Sequence, residues 1–206
     1  MSEPVPIATL ISGGGRTVLN LAKEIDCGRL NARITSVIAH RESLAGVRRC
    51  RDLGLPVNVV ETDPRDSLDD RLDQALADSG AEFICLCGYL RHFRIGSRWA
   101  GRTINIHPAL LPNFGGKGMY GDHVHQAVLS SGASETGCTV HFVDEEYDHG
   151  PTILQRRCAV RQDDDVDSLA ARVFELECEA FPEALRSVFD SFAPQAESTT
   201  EGGDRR

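Results

Sequence analysis

The sequence contains no long uncharged apolar run, so it offers no candidate for a membrane-spanning helix. Its start, Met1-Ser2-Glu3-Pro4-Val5-Pro6, lacks the basic-then-apolar pattern of a secretory signal, and the expected location is the cytoplasm. There is no excess of positive charge: 22 lysines and arginines against 31 acidic residues leave a net charge of −9. That balance argues against non-specific nucleic-acid binding and leaves room only for a local basic pocket. The seven cysteines include no C-x-x-C pair, which removes the main support for a zinc-ribbon or thioredoxin-like site. They are expected as reduced, buried thiols acting as small hydrophobes. No H-x-x-x-H pattern and no His/Cys quartet occurs, so no metal is expected, although His123, His125, His141 and His149 are present.

What is present alternates between strands and helices. Residues 7–11 form a short apolar run closed by Ser12-Gly13-Gly14-Gly15, and Val18, Leu19, Ala22 and Ile25 then recur at helical spacing. Similar patterns predict strands at 32–39, 57–60, 83–87 and 103–106. Helices are predicted at 44–53 and 68–77, the latter with Leu68, Leu72 and Leu76 on one face. Cys85 and Cys87 should share one face of their strand. After Pro112 the pattern changes: 113–121 reads as a glycine-rich loop, 124–129 as a short helix, 136–143 and 152–160 as strands, and 168–192 as a long helix. The predicted class is α/β: a mainly parallel, open, twisted sheet with helices on both faces and an antiparallel C-terminal part. The length suits one domain over 1–192, with a polar tail at 193–206 expected to be disordered.

The first candidate site is the glycine turn. Gly13, Gly14 and Gly15 lead into Arg16 and Thr17 at the opening of a helix, where backbone N–H groups attract anions. Thr17 is expected as the N-cap hydroxyl. The Walker lysine is absent, and Val18 stands where the dinucleotide fingerprint needs a glycine. The residues alone admit two readings, a phosphate cradle and a tight structural turn.

The most informative stretch is Asn105-Ile106-His107-Pro108. Strand alternation puts Asn105 and His107 on one face, at the carboxyl end of a late strand where such sheets bind ligands. An amide and an imidazole there can both donate to an oxyanion, or can simply satisfy buried partners. Asp148 precedes Gly150-Pro151, which fixes a turn; it fits a general base and equally a turn residue. Glu177 borders the apolar stripe Leu169, Val173, Leu176 and Ala180 on the last helix, a place for binding an amine or for an ordinary surface carboxylate.

The order of these pieces is more specific than any one of them. Ser12-Gly13-Gly14-Gly15, Gly88-Tyr89-Leu90-Arg91, Asn105-Ile106-His107-Pro108-Ala109-Leu110-Leu111-Pro112, Gly137-Cys138-Thr139-Val140-His141-Phe142-Val143 and Asp148-His149-Gly150-Pro151 follow one another in that sequence. Together they resemble the phosphoribosylglycinamide formyltransferase family, of the Rossmann-like formyltransferase fold, over about residues 7–192. The resemblance implies transfer of a formyl group from the co-substrate 10-formyltetrahydrofolate to the amine of 5′-phosphoribosylglycinamide, in de novo purine synthesis.

Matched residue by residue, it implies a catalytic triad of Asn105, His107 and Asp148, with His107 held protonated by Asp148. It implies Gly13, Gly14, Gly15, Arg16 and Thr17 on the substrate phosphate and Glu177 on the amine side. Arg91, His92, Phe93, Asp144, Glu145, Glu146 and Tyr147 would line the folate pocket, and His141 would stand behind the triad. The partners implied are small molecules, with no nucleic acid or membrane, for a monomer or homodimer.

Two departures stand out. Arg16-Thr17 replaces the usual Ser-Asn, and residues 114–123 are longer and richer in glycine than usual, which suggests a mobile flap offering Lys117 and His123 as extra contacts. Rival readings are a formyltetrahydrofolate hydrolase, which usually carries an extra N-terminal domain, and a methionyl-tRNA formyltransferase, which normally carries a basic C-terminal domain. A non-catalytic nucleotide-binding module would need the glycine turn alone.

Overall fold

Alternate residues of the continuously buried first strand feed two cores at once. In β1 (Val5–Ile11), Ile7 and Ile11 join one hydrophobic cluster while Ala8 and Leu10 join another. β4 (Phe83–Leu86) repeats this, with Phe83 and Cys85 on the first side and Ile84 and Leu86 on the second. A strand buried on both faces reads as a continuous apolar run, which is how parallel central strands look in sequence. Cys85 and Cys87 lie in the same cluster, as their spacing predicts.

The computed structural model describes residues 3–61 and 68–192, so the expected disordered tail lies outside the described residues. The remaining strands are β2 (Ala32–Ala39), β3 (Val57–Val59), β5 (Thr103–His107), β6 (Glu135–Phe142) and β7 (Thr152–Ala159). One seven-stranded sheet has the order β3-β2-β1-β4-β5-β6-β7. Pairing is parallel from β3 to β5 and antiparallel for β5–β6 and β6–β7. The predicted class therefore holds, including the antiparallel end.

The helices are α1 (Arg16–Asp26), α2 (Ala45–Asp52), α3 (Leu68–Asp78), α4 (Asp122–Ser131) and α5 (Val166–Phe192). Residues of α1, α2, α4 and α5 supply the first cluster; Leu72, Ala75 and Leu76 of α3 join Phe93 and Trp99 in the second. α5 starts with a reciprocal cap: Ser168 N–H donates to Asp165 Oδ1 at 2.8 Å, and Asp165 N–H donates to Ser168 Oγ at 3.0 Å. The partly buried Arg172 clasps Asp164 with both Nη atoms, tying the same end to the loop before it. These contacts hold α5 in register across β6 and β7, and so fix where Glu177 stands.

The cysteines are all free thiols. Burial pushes Cys85 and Cys138 up to about 12, so neither forms a thiolate near neutral pH. Cys27 departs from the expectation of burial: it caps the C-terminal end of α1 and is exposed.

Candidate active site

The carboxyl ends of β1, β4 and β5 open onto a cavity of about 660 Å³, which is where a parallel sheet gathers loop residues. Its walls include the glycine turn, the Asn105–His107 end of β5, residues 116–121, Asp148 and Glu177. Five separate stretches of sequence therefore meet around one cavity.

Antiparallel pairing sets the first contact. Asn105 lies opposite His141, and His107 opposite Thr139. His141 donates from Nδ1 to the Phe142 carbonyl at 2.8 Å, which leaves Nε2 to accept from Asn105 Nδ2 at 3.1 Å. The second amide hydrogen of Asn105 points at Asp148 Oδ1, a long 3.4 Å contact. His141 thus decides which way the Asn105 amide faces. We predict that His141→Ala lowers kcat about tenfold by freeing that amide, the size expected for one hydrogen bond. An unchanged kcat in steady-state assays would remove this role.

Asp148 sits in the left-handed region, with φ of 54°. Gly150, two residues on, allows this turn: a Cβ there would lie 1.9 Å from the Phe142 carbonyl oxygen. The turned carboxylate places Oδ2 3.5 Å from His107 Nδ1 and accepts from Gly116 N–H at 2.9 Å. His107 donates from Nε2 to the Phe114 carbonyl at 2.8 Å. Phe114 itself has φ of 56°, a costly conformation for a bulky residue that these contacts hold in place. The glycine-rich segment expected as a flap is thus anchored at its start on two members of the triad.

The charge state of His107 differs from the expected one. Burial lowers its pKa and outweighs the opposing pull of Asp148 and of the Phe114 carbonyl, with the neighbouring His141 adding to the lowering. The ring is only 3% exposed. It therefore rests neutral at neutral pH, with its proton on Nε2, rather than as a standing imidazolium. For Asp148, burial acts to raise the pKa, but His141, His107 and the Gly116 N–H together outweigh it and leave the carboxyl below its usual range. Asp148 is the ionised member of the pair.

Thr139 and Gln155 were not singled out by the sequence reading. Thr139 Oγ1 donates to the Ala109 carbonyl at 2.7 Å and accepts from Leu111 N–H at 3.0 Å. Gln155 Nε2 lies 2.9 Å from both the Leu111 carbonyl and Thr139 Oγ1. The turn after His107 is pinned by these two side chains. The position of Thr139, two residues before His141 on the same strand face, was the available signal.

At the glycine turn, α1 is capped by Gly15 with no side-chain hydrogen bond, so Thr17 is not the N-cap. The turn needs glycine at 15, whose φ is 70°, and Thr17 lines the cavity one residue inside the helix. The Arg16 guanidinium lies over the Phe174 ring of α5, 4.1 Å from its centroid. Glu177, one turn further along α5, faces the same cavity. Its pKa is pushed up to about 7 by burial, against the opposing charge of Arg16.

A smaller hollow of about 60 Å³ adjoins the triad and is lined by Arg91, His92, Phe93, Asp144, Glu146 and Tyr147, among others. Phe93 forms its apolar floor as a member of the second core. His92 packs edge-on against Tyr147 at 5.2 Å and donates from Nε2 to the Glu145 carbonyl at 3.2 Å. Glu145 is thus present through its backbone, outside the lining of the hollow. Lys117 lines the large cavity, whereas His123 packs against Tyr120.

Residues 5–185 match the family described as formyl transferase. The chain belongs to the formyl transferase family. It is 36% identical over 192 residues to the trifunctional purine biosynthetic protein adenosine-3 of Gallus gallus, covering 91% of this chain and 19% of that protein. It is 36% identical over 188 residues to the chloroplastic phosphoribosylglycinamide formyltransferase of Arabidopsis thaliana, covering 88% of this chain and 64% of that one. The chain thus spans less than two thirds of either relative. Among solved structures it is similar to glycinamide ribonucleotide transformylase 1 from Symbiobacterium toebii, with a TM-score of 0.84 and 32% identity over 93% of this chain and 90% of that one. No helix among the described residues is long and apolar enough to cross a membrane.

Proposed function

We propose that this formyl transferase family member moves a formyl group from 10-formyltetrahydrofolate to the primary amine of 5′-phosphoribosylglycinamide, a step of purine biosynthesis. The observation that carries the reading is the meeting of Asn105, His107 and Asp148 in one cavity that the glycine turn also lines. In this reading Gly13–Thr17 hold the phosphate, Glu177 faces the amine side, and the residues from Arg91 to Tyr147 line the folate side. The enzyme acts in the cytoplasm on small molecules, as a monomer or homodimer, without nucleic acid.

Attack of the neutral amine on the formyl carbon makes a tetrahedral centre with an ammonium and an oxyanion. Asn105 turns an amide hydrogen from its long contact with Asp148 to the oxyanion. Asp148, ionised and 3.5 Å from His107 Nδ1, takes the ammonium proton and hands it to that nitrogen. The resulting imidazolium faces the oxyanion and then protonates N10 of the departing folate. One proton leaves the amine and one arrives on the leaving nitrogen, so the cycle ends with the site as it began. A resting neutral His107 suits this relay, because it can accept the proton. Holding both reactants in one cavity removes much of the entropic barrier.

The test follows folate-product absorbance with and without the amine acceptor. Turnover that requires the acceptor supports the transferase. Turnover without it favours a hydrolase, and none in either case favours a binding module.

Glu177 offers a check that depends on pH. Its folded pKa is raised above the unfolded value, so folding retains a proton that the unfolded chain loses. Its contribution to stability is best below the ordinary glutamate range and is lost as pH rises toward about 7. Glu177→Gln should therefore raise Tm at pH 8 more than at pH 5, while increasing KM for the acceptor. An equal Tm change at both pH values would contradict the assignment.

A further inference from the structure

The glycine turn is held from behind by α2. The Gly13 carbonyl accepts from Gly46 N–H at 3.0 Å, and the Gly14 carbonyl accepts from Arg49 Nη1 at 3.0 Å. In a trans peptide the carbonyl and the following N–H point in opposite directions. The Gly14 N–H is therefore aimed away from Gly46, and the Gly15 N–H away from the Arg49 guanidinium. Among the described residues, neither of these N–H groups has a hydrogen-bond partner within the protein. Both glycines line the cavity, where successive backbone N–H groups can hold an anion.

The approach of α2 is close enough to demand glycine. A Cβ on Gly46 would stand 2.6 Å from the Gly13 oxygen and 2.8 Å from Ile11 Cδ1. Arg49 makes the second anchor with one of five guanidinium donors and has no carboxylate partner among the described residues. Its side chain is exposed beside the turn, so its charge also adds to the field there.

We infer that Arg49 is a positioning residue for the phosphate cradle: through the Gly14 carbonyl it sets the plane of the 14–15 peptide, and so it governs preference for a phosphate-monoester acceptor over the uncharged riboside. This rests on the phosphate reading of the glycine turn given above.

The experiment compares the wild type with Arg49→Ala at low and high salt, using phosphoribosylglycinamide and the matching riboside as acceptors. Arg49→Ala should raise KM for the phosphorylated acceptor about tenfold, the scale of one charge-assisted hydrogen bond. The folate KM, kcat and riboside turnover should stay within about twofold of wild type, below the scale of one lost hydrogen bond. The Arg49→Ala loss should persist at about 0.5 M salt, which a purely electrostatic role would not permit, because a direct hydrogen bond to the Gly14 carbonyl is screened far less than a remote charge. Because the side chain is exposed, thermal melts should coincide.

A wild type that takes both acceptors equally well overturns the phosphate reading and this inference with it. A wild type that discriminates, paired with an Arg49→Ala variant of unchanged acceptor KM, overturns the role of Arg49 alone. So does an Arg49→Ala loss that disappears at high salt.

Discussion

His107→Ala should lower kcat by about a hundredfold or more, the usual effect of losing an acid–base group that also stabilises an oxyanion. Both KM values should move far less, because the imidazole acts on charge that develops only during reaction. The substitution also removes the donor to the Phe114 carbonyl, so some loss of stability is expected, about 1–3 kcal/mol for a buried acceptor left without a partner. His107→Gln separates the two effects. Its amide can still donate to the Phe114 carbonyl but cannot carry a proton between amine and leaving group. Melts of the glutamine variant should approach wild type while kcat stays low. A glutamine variant with near-normal turnover would falsify the relay.

Asp148→Asn should be comparably damaging, again by about a hundredfold or more in kcat. Asparagine tolerates the left-handed backbone at this position, and its carbonyl can still accept from Gly116 N–H, so the turn should survive. What is lost is the only ionised group of the triad. The stability profile gives a second readout. The native carboxyl lies below its usual range, so its stabilising effect is present above the unfolded pKa of about 3.9 and is lost as pH falls through the native value. The Tm gap between wild type and Asp148→Asn should therefore shrink on acidification from pH 6 toward pH 3. A gap that widens, or a variant retaining more than a tenth of wild-type kcat, would exclude Asp148 as the base.

Much of the architecture could be read from local pattern. The apolar runs of β1 and β4 are buried on both faces, and the four-residue spacing of Leu68, Leu72 and Leu76 marks the inward face of α3. Asn105 and His107 were recognisable because strand alternation alone puts them side by side at a strand end. Contacts made by backbone groups were not legible. The Phe114 carbonyl and the Gly116 N–H belong to a segment whose composition announces only a loop, yet they complete His107 and Asp148. Gly46 and Arg49 are similarly silent in sequence, because their role depends on how closely α2 approaches a turn more than thirty residues earlier. The neutrality of His107 was missed for another reason: a neighbouring carboxylate suggests a cation, and only the extent of burial reverses the balance.

The attachment of residues 114–116 to the triad links geometry to acidity. With the Phe114 oxygen on His107 and the Gly116 N–H on Asp148, the imidazole is more basic and the carboxyl more acidic than either would be without them. Lifting this short stretch would draw the two proton affinities together and weaken the polarity along which a proton must travel. The acidity of the pair is thus set in part by backbone groups that neither side chain carries.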